Sequence, residues 1–504
     1  MNHQSSIINH QSSIVLPLVC ALWAFGSIGR GAELDLKTIF REGIPVSPFA
    51  NVVYGYVNAM LDHGRDAYGP QKSGLFLSAL DRKTLAPLTT CPPAPAGVPS
   101  VGCAGPRGGP LVGANPQTDQ NLLRLLYFLK GLSGEDRYAQ AADAELRWFL
   151  KNTPSPQTGL LPWGAHLSWN VMTDEVACGT EQPLHEFCRP WMLWERCFEL
   201  APDESRRFAL ALWNRHVVDQ KTGALSRSAL FDGGTSRPAA DCPRQAGFFI
   251  RTWAEAYAHT KDEAFLKMID VVLRRYEGKR DQAGRLPGVD PGSTSACDLL
   301  SLAIDCDGAA RKVPEPLRTR LTTSATRLDE SLCSLPHDLK GKQGFALRLD
   351  PAAAGPDVAY TSLWDAGRDR PTTAAVGMMC VSRYENTGRV AYRTFIVAAA
   401  DAYLDSLPGA QTDAWPLSFG QAISLELAAF RATAQKAYYA RAFKLGEFAV
   451  QGFFAGSPLP RASLKSDHYE SVTGADTLAL ALAELHLQVL HITAVRTPAN
   501  TIDH

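Results

Sequence analysis

The sequence predicts an all-α protein, a single toroid of seven helical hairpins, (α/α)7, with (α/α)6 as the alternative count. Three observations carry this. Ser133-Gly-Glu-Asp-Arg-Tyr138, Thr260-Lys-Asp-Glu-Ala-Phe265 and Thr387-Gly-Arg-Val-Ala-Tyr392 each open a helical segment, 127 residues apart each time. Units of the same kind begin near Asp203 and Pro316, which halves the period to one hairpin plus its loops. Helices of two kinds alternate, one amphipathic and one more apolar. Nothing sustains a period of two except short pieces such as Phe345 to Leu349, so a separate β domain is not expected.

The amphipathic helices start near Pro48, Glu135, Asp203, Glu263, Pro316, Arg389 and Lys436. The one after Thr260 is typical, with Phe265, Met268, Ile269, Val272, Leu273 and Tyr276 forming an i, i+3, i+4 stripe. Ser133 and Thr260 are each followed by an acid three residues on, the capping-box spacing, so each is expected to cap the helix after it. A more apolar helix follows each, near Asn115, His185, Gln245, Thr294, Thr372, Trp415 and Thr473. Links leading out of these second helices are short (GLSGED, LAPDES, HTKDE, ENTGR). Links into them are long and rich in Gly, Pro, Trp and Arg, and long loops gathered on one side of a regular scaffold are where sites are built. If the second helices form the inner ring, their N-termini point to that side and favour a bound anion.

The chain has 504 residues, 45% hydrophobic and 20% charged, with 50 Lys plus Arg against 51 Asp plus Glu. Disordered, collagenous and coiled-coil classes are excluded. A net charge of −1 gives no whole-molecule field to recruit nucleic acid, so an anionic partner must be held by local arginines. The apolar run Ile14 to Gly29 is too short to span a membrane and ends in small residues. It reads as a secretory signal peptide cleaved between Gly29 and Glu33, although the echoed NHQSSI before it carries no Lys or Arg. The organisation is then a signal peptide over 1–32 and a toroid over 33–504, periplasmic or secreted, with no membrane association after cleavage. Of 11 cysteines, loss of Cys20 leaves an even number in a disulfide-permitting compartment, and Cys91–Cys103, bracketing a Pro/Gly-rich loop, is the expected pair. CxxC and HExxH are both missing, so the standard zinc signatures are absent. No cofactor is called for, and a structural divalent cation stays open.

Three stretches on the long-loop side concentrate chemistry. Gly159 to Asn170 (GLLPWGAHLSWN) holds Trp163, His166, Trp169 and Asn170, and tryptophans in a Gly-rich loop suit either stacking on sugar rings or pinning the loop. His185-Glu-Phe-Cys-Arg-Pro-Trp191 is read as opening an inner helix, with His185 and Arg189 four apart on one face, placed to clamp a carboxylate. Asp467-His-Tyr-Glu-Ser-Val-Thr-Gly474 precedes the last inner helix and offers His468 and Tyr469 for proton transfer. Asn115, Asp119, Gln120, Arg227, Arg244, Tyr360, Trp364 and Arg370 supplement them.

With Trp, Asn, His, Tyr and Arg on the loop side of helical hairpins, the chain resembles the α/α-toroid polysaccharide lyases, which degrade alginate, glucuronan, glycosaminoglycans or pectate. The resemblance spans the mature chain in architecture only; the β-sandwich domain that many of these lyases carry is not expected here. It implies an anionic polysaccharide substrate and β-elimination. Asn170, His185 and Arg189 would neutralise the uronate carboxylate, and Tyr360, His468 or Tyr469 would act as base and acid. Asn115, Asp119, Gln120, Trp163, His166, Trp169, Arg227, Arg244, Trp364 and Arg370 would bind the polymer. The chemistry stands apart from the resemblance: the proton alpha to a carboxylate is weakly acidic, so donors must stabilise the enolate-like charge beside a base. A phenol whose pKa is lowered by neighbouring arginines would serve as that base. Two rivals remain. A glycoside hydrolase would pair carboxylates drawn from Asp119, Asp174, Glu175, Glu186 and Glu470, and a non-catalytic glycan-binding protein would use the tryptophans alone.

Overall fold

The computed structural model describes residues 47–500, apart from 89, 91, 97, 99–112, 179–181, 188, 235–237, 282–283, 288–293, 351–356, 368–369 and 494. The apolar run near the N-terminus and the Cys91–Cys103 pair lie outside the described residues. The chain divides into two units. Of the smaller, only Leu132–Gly134 is described; the larger, Pro45–Gly131 with Glu135–His504, contains the features that follow.

The described residues are mostly helical. Their α-helices are α1 Pro48–Asp62, α2 Gln120–Ser133, α3 Asp136–Asn152, α4 Trp194–Leu200, α5 Pro202–His216, α6 Pro243–Thr260 and α7 Ala264–Gly278. They continue as α8 Ala296–Ala310, α9 Leu317–Cys333, α10 Thr373–Thr387, α11 Val390–Asp401, α12 Pro416–Thr433, α13 Lys436–Phe453 and α14 Ala475–Val489. Apart from α2 and α4, each starts within two residues of its expected position, because the apolar period and the Pro or Thr punctuation act locally. Helices α6, α8, α10, α12 and α14 bury most of their side chains, polar ones included. Helices α7, α9, α11 and α13 bury a single stripe. The buried helices are neighbours in order, α6 on α8, α8 on α10, α10 on α12 and α12 on α14, and α14 packs against α1. Gly420 lets α12 approach α14, since a Cβ there would lie 2.8 Å from the Leu478 nitrogen. Asn121 donates to Thr477 (3.0 Å) and the Leu122 N–H to Asp476 (3.1 Å), joining α2 to α14.

The capping-box expectation is corrected at Thr260. Its hydroxyl donates back to the Ala256 carbonyl (2.7 Å) and accepts the Asp262 N–H (3.2 Å), so it ends α6 instead of capping α7. Thr387 and Thr433 do the same at the ends of α10 and α12. In each corner the next residue, Lys261, Gly388 or Ala434, adopts the left-handed conformation.

Short strands occupy the long links: β1 Ala79–Leu80, β2 Gly113–Ala114, β3 Leu167–Asn170, β4 Glu175–Cys178, β5 Leu184–His185, β6 Val217–Asp219, β7 Ala224–Leu225, β8 Ala229–Leu230, β9 Ala346–Asp350, β10 Asp357–Tyr360 and β11 Tyr469–Glu470. They pair as β1–β11, β2–β3–β4, β5–β8, β6–β7 and β9–β10, all antiparallel. The helix expected at His185 is one of these strands. Pro183 and Pro190 flank it, the residue before a proline avoids the helical region, and the backbone finds its partners in β8 instead. Cys197, Cys242, Cys297, Cys306, Cys333 and Cys380 are free thiols. Burial pushes the first four up to about 12, which leaves them unreactive.

One buried carboxyl makes stability depend on pH. Glu426 on α12 is fully buried and neither of its oxygens has a hydrogen-bond partner. Burial pushes its carboxyl up to about 9, against a pull from Arg441. An unfolded glutamate ionises near ~4.3, so the folded state holds the proton more tightly and stability falls as pH rises from there towards 9. Glu426→Gln is therefore expected to stabilise the protein at pH 7 by on the order of 2 kcal/mol and to have little effect at pH 4. Urea unfolding at both pH values checks this; equal effects would contradict it.

Candidate active site

One buried carboxylate organises the loops around β5 and β8. Glu186, 4% exposed, bonds His166 Nε2 through Oε2 (3.2 Å) and accepts from Arg227 Nε through Oε1 (2.8 Å). The two partners reach the surface, with side chains 18% and 29% exposed. Strand alternation explains the arrangement: His185 on β5 points into the core, so Glu186 points the other way. Gly164 brings the His166 loop against this strand. It has φ +93, and a Cβ on it would fall 1.9 Å from the Glu186 carbonyl oxygen. Asn115 locks the same loop, donating from Nδ2 to the Gly164 (2.8 Å) and Leu167 (3.3 Å) carbonyls and accepting the Gly164 N–H. Gly164→Ala is expected to destabilise the fold by more than about 1 kcal/mol and to pull His166 away from Glu186. Thermal unfolding and the His166 ring resonances check both effects; an unmoved pair would contradict the second.

His185 has no exposed surface. Its Nδ1 lies 2.8 Å from His216 Nε2, its ring packs on Phe187 and Phe208, and burial drives its pKa well below the ordinary value. That corrects the expectation of a helix face shared with Arg189, which belongs to the turn after β5 and accepts from Gln117 Nε2 at its carbonyl. Trp163 is corrected as well. It is 1% exposed inside a cluster of Phe149, Phe187, Trp191, Trp194 and Phe208, and is a core residue rather than a sugar platform. Trp169 is buried edge-on to Trp148, and Asn170 turns the β3–β4 hairpin, accepting the Met172 and Thr173 N–H groups. Gln120 uses both ends of its amide on the Pro190 carbonyl and the Met192 N–H.

A second cluster lies where α2, α14 and β11 meet. The Tyr469 and Tyr56 hydroxyls are 3.2 Å apart, both rings buried. Burial raises the Tyr469 phenol well above its ordinary pKa, and Tyr56 and Asp119 add to the effect. This reverses the expectation of an acidified phenol: burial, with Tyr56, Asp119 and Asp476, raises it. Asp119 is buried too, and its carboxyl is raised by burial and by Glu145 and Asp476, with Ser471 and Arg189 pulling the other way. Glu145, which accepts the Phe76 N–H, is pushed up to about 8 by burial. His468 is buried with Nε2 3.0 Å from Glu470.

The remaining candidates stand apart. Tyr360 ends β10, half-buried; Trp364 is buried, donates to Ser406 and packs on Tyr403 and Phe419; Arg370 is exposed and paired with Asp365. Arg244, in the first turn of α6, lies near Cys297 and pulls against the burial that raises that thiol. The sequence reading missed His216, Tyr56, Gln117 and Glu145. Of these only His216 had a local signal, a basic residue closing a helix just before a Gly-containing link. Among the described residues no helix is long and apolar enough to cross a membrane, and no three or more His, Cys, Asp or Glu are grouped to hold a metal ion.

Known proteins resemble this chain in structure and, over part of its length, in sequence. The D-mannose isomerase structure aligns with 91% of this chain and 100% of its own at a TM-score of 0.47 and 9% identity. The α-1,6-mannanase of Salegentibacter sp. HEL1_6 aligns with 87% and 99% at 0.44 and 10% identity. In sequence, the pectate disaccharide-lyase of Dickeya dadantii (strain 3937) is 28% identical over 115 residues, which is 23% of this chain and 21% of that enzyme. The chain thus matches about a fifth of the length of that curated relative. The family described as periplasmic pectate lyase matches residues 101–240, a segment that contains His166, Glu186, Arg189 and Arg227 but neither His468 nor Tyr469. Over that segment the chain is similar to periplasmic pectate lyases.

Proposed function

We propose that this protein is an exported polysaccharide lyase that cleaves a uronate-containing polymer by β-elimination at the His166–Glu186–Arg227 cluster, on a single toroid of seven helical hairpins. The observation that carries the reading is that one buried carboxylate orients both a guanidinium and an imidazole, each partly exposed, inside the segment similar to pectate lyases. Arg227 neutralises the uronate carboxylate and stabilises the charge that builds as C5 loses its proton. His166, held by Glu186, takes that proton. The electron pair forms the C4–C5 double bond, the C4–O4 bond breaks, and O4 leaves after taking up a proton. His185 and Trp163, both buried, support the site from behind, and Asn170 and Asn115 shape its loops.

The full-length protein, incubated with pectate, alginate, glucuronan and glycosaminoglycans, is expected to release chains with an unsaturated uronyl end, read by ultraviolet absorbance. A hydrolase reading draws on Asp119, whose raised carboxyl is the form a general acid needs, beside Asp476. Cleavage with new reducing ends and no absorbance would favour it over the lyase; binding without cleavage would leave a glycan-binding protein.

A further inference from the structure

His185 and His216 are buried, yet each is tied to the site through its immediate surroundings. His216 closes α5, and its Nδ1 is 3.0 Å from the Ser226 carbonyl oxygen, while the Ser226 N–H donates to the His216 carbonyl (2.7 Å). Ser226 precedes Arg227, and its hydroxyl donates to the Ser228 carbonyl (2.8 Å), holding the turn that carries the arginine. On the other side His185 precedes Glu186 on β5, paired with Ala229 of β8. A carbonyl only accepts, so His216 Nδ1 carries a hydrogen. In the neutral ring Nε2 is then an acceptor and takes the hydrogen from His185 Nδ1. His185 Nε2 is left as a buried lone pair with no hydrogen-bond partner, a cost that packing alone would avoid by placing an apolar ring here.

We propose that His185 and His216 are positioning residues: the Ser226–His216–His185 relay sets the separation of Glu186 from Arg227, and so the geometry in which guanidinium and imidazole meet a uronate. This rests on the lyase reading for its effect on rate, but not for its effect on structure. Strand β5 and the 226–228 turn come from chain segments 41 residues apart at Glu186 and Arg227, and among the described residues β5 and β8 pair as Leu184–Leu230 and His185–Ala229. The relay is the side-chain link that spans the two segments behind the cluster.

The test uses the full-length protein with His216→Phe, which keeps an aromatic ring against Phe249 and deletes both hydrogen bonds. A second variant, His216→Asn, retains a donor near Ser226 and removes only the link to His185. The Arg227 Nε–H, bonded to Glu186, is followed as a slowly exchanging resonance in protein labelled with ¹⁵N-arginine, assigned by its loss in Arg227→Lys. In both variants that resonance is expected to enter fast exchange, and turnover on the uronate polymer to fall about 10²-fold with KM little changed, as sub-ångström to ångström misplacement of catalytic groups produces. A folded variant that keeps the resonance and its turnover overturns the proposal, and if His216→Phe does not fold, His216→Asn decides alone. If the wild-type protein yields no absorbing product from any uronate polymer, the lyase reading fails. The resonance then still decides the relay: lost, it stands; kept, it falls.

Discussion

Arg227→Ala is expected to lower turnover on a uronate polymer by about 10²–10³-fold, the usual loss when a preorganised donor to developing charge is removed. The effect should fall on kcat more than on KM, because the charge that Arg227 meets is larger in the transition state than in the bound substrate. Glu186→Gln should do at least as much damage, since one amide cannot hold both a guanidinium and an imidazole as the carboxylate does. The pair then acts as a unit, so the double variant should be little worse than the more damaging single one. Arg227→Lys keeps the charge but not the planar fork, and should recover only part of the loss. Rates measured by uronyl absorbance, with affinity measured separately, check each step; full activity in Arg227→Ala would remove this cluster from the mechanism.

The largest loss of stability is expected far from that site. Asp329 on α9 and Arg383 on α10 are both 1% exposed and form a bidentate pair at 2.9 and 2.8 Å. The Tyr392 hydroxyl from α11 and Arg389 complete the surroundings of the carboxylate. Removing one partner strands a buried charge, so Asp329→Ala should cost about 3–5 kcal/mol. Replacing both, as Asp329→Leu with Arg383→Met, should cost much less, because the desolvation of two ions is no longer paid. Denaturant midpoints of the three proteins check the order; a double variant as unstable as the single one would show that the network, rather than the stranded charge, sets the cost.

The helical frame was legible because its signals lie within a few residues of one another. The stripe from Phe265 to Tyr276 and the prolines at 48, 202 and 416 speak for their own helices, whatever the rest of the chain does. The same locality misled at Thr260, where a capping spacing was read forwards while the hydroxyl bonds backwards, and at His185, where an i, i+4 pair was drawn on a segment whose backbone pairs with residues more than forty positions away. Glu186 and Arg227 were each named, one as a carboxylate for the rival hydrolase and one as a supplementary arginine. Nothing in the chain could join them, because their contact depends on the β5–β8 register. Tyr469 was misjudged for the same reason: its pKa is raised first by burial and then by Tyr56 and Asp119, from two distant parts of the chain.

Helix α1 packs on α14, and the link is specific. The Ser47 hydroxyl meets His486, Tyr56 meets Tyr469, and Arg82, just beyond α1, donates to the carbonyls of Phe453, Ala455 and Leu459. Helix α1 also meets α13, where Phe49 packs edge-on to Phe443, so the two helices that cover it are both made long after it. During synthesis its buried face, with Phe49, Val53, Tyr56, Val57 and Met60, stays without α13 and α14 until nearly all of the described chain has been made. A nonsense codon anywhere before α13 then removes more than the residues behind it, because it also uncovers the face of α1 that α13 and α14 bury and exposes the product to proteolysis.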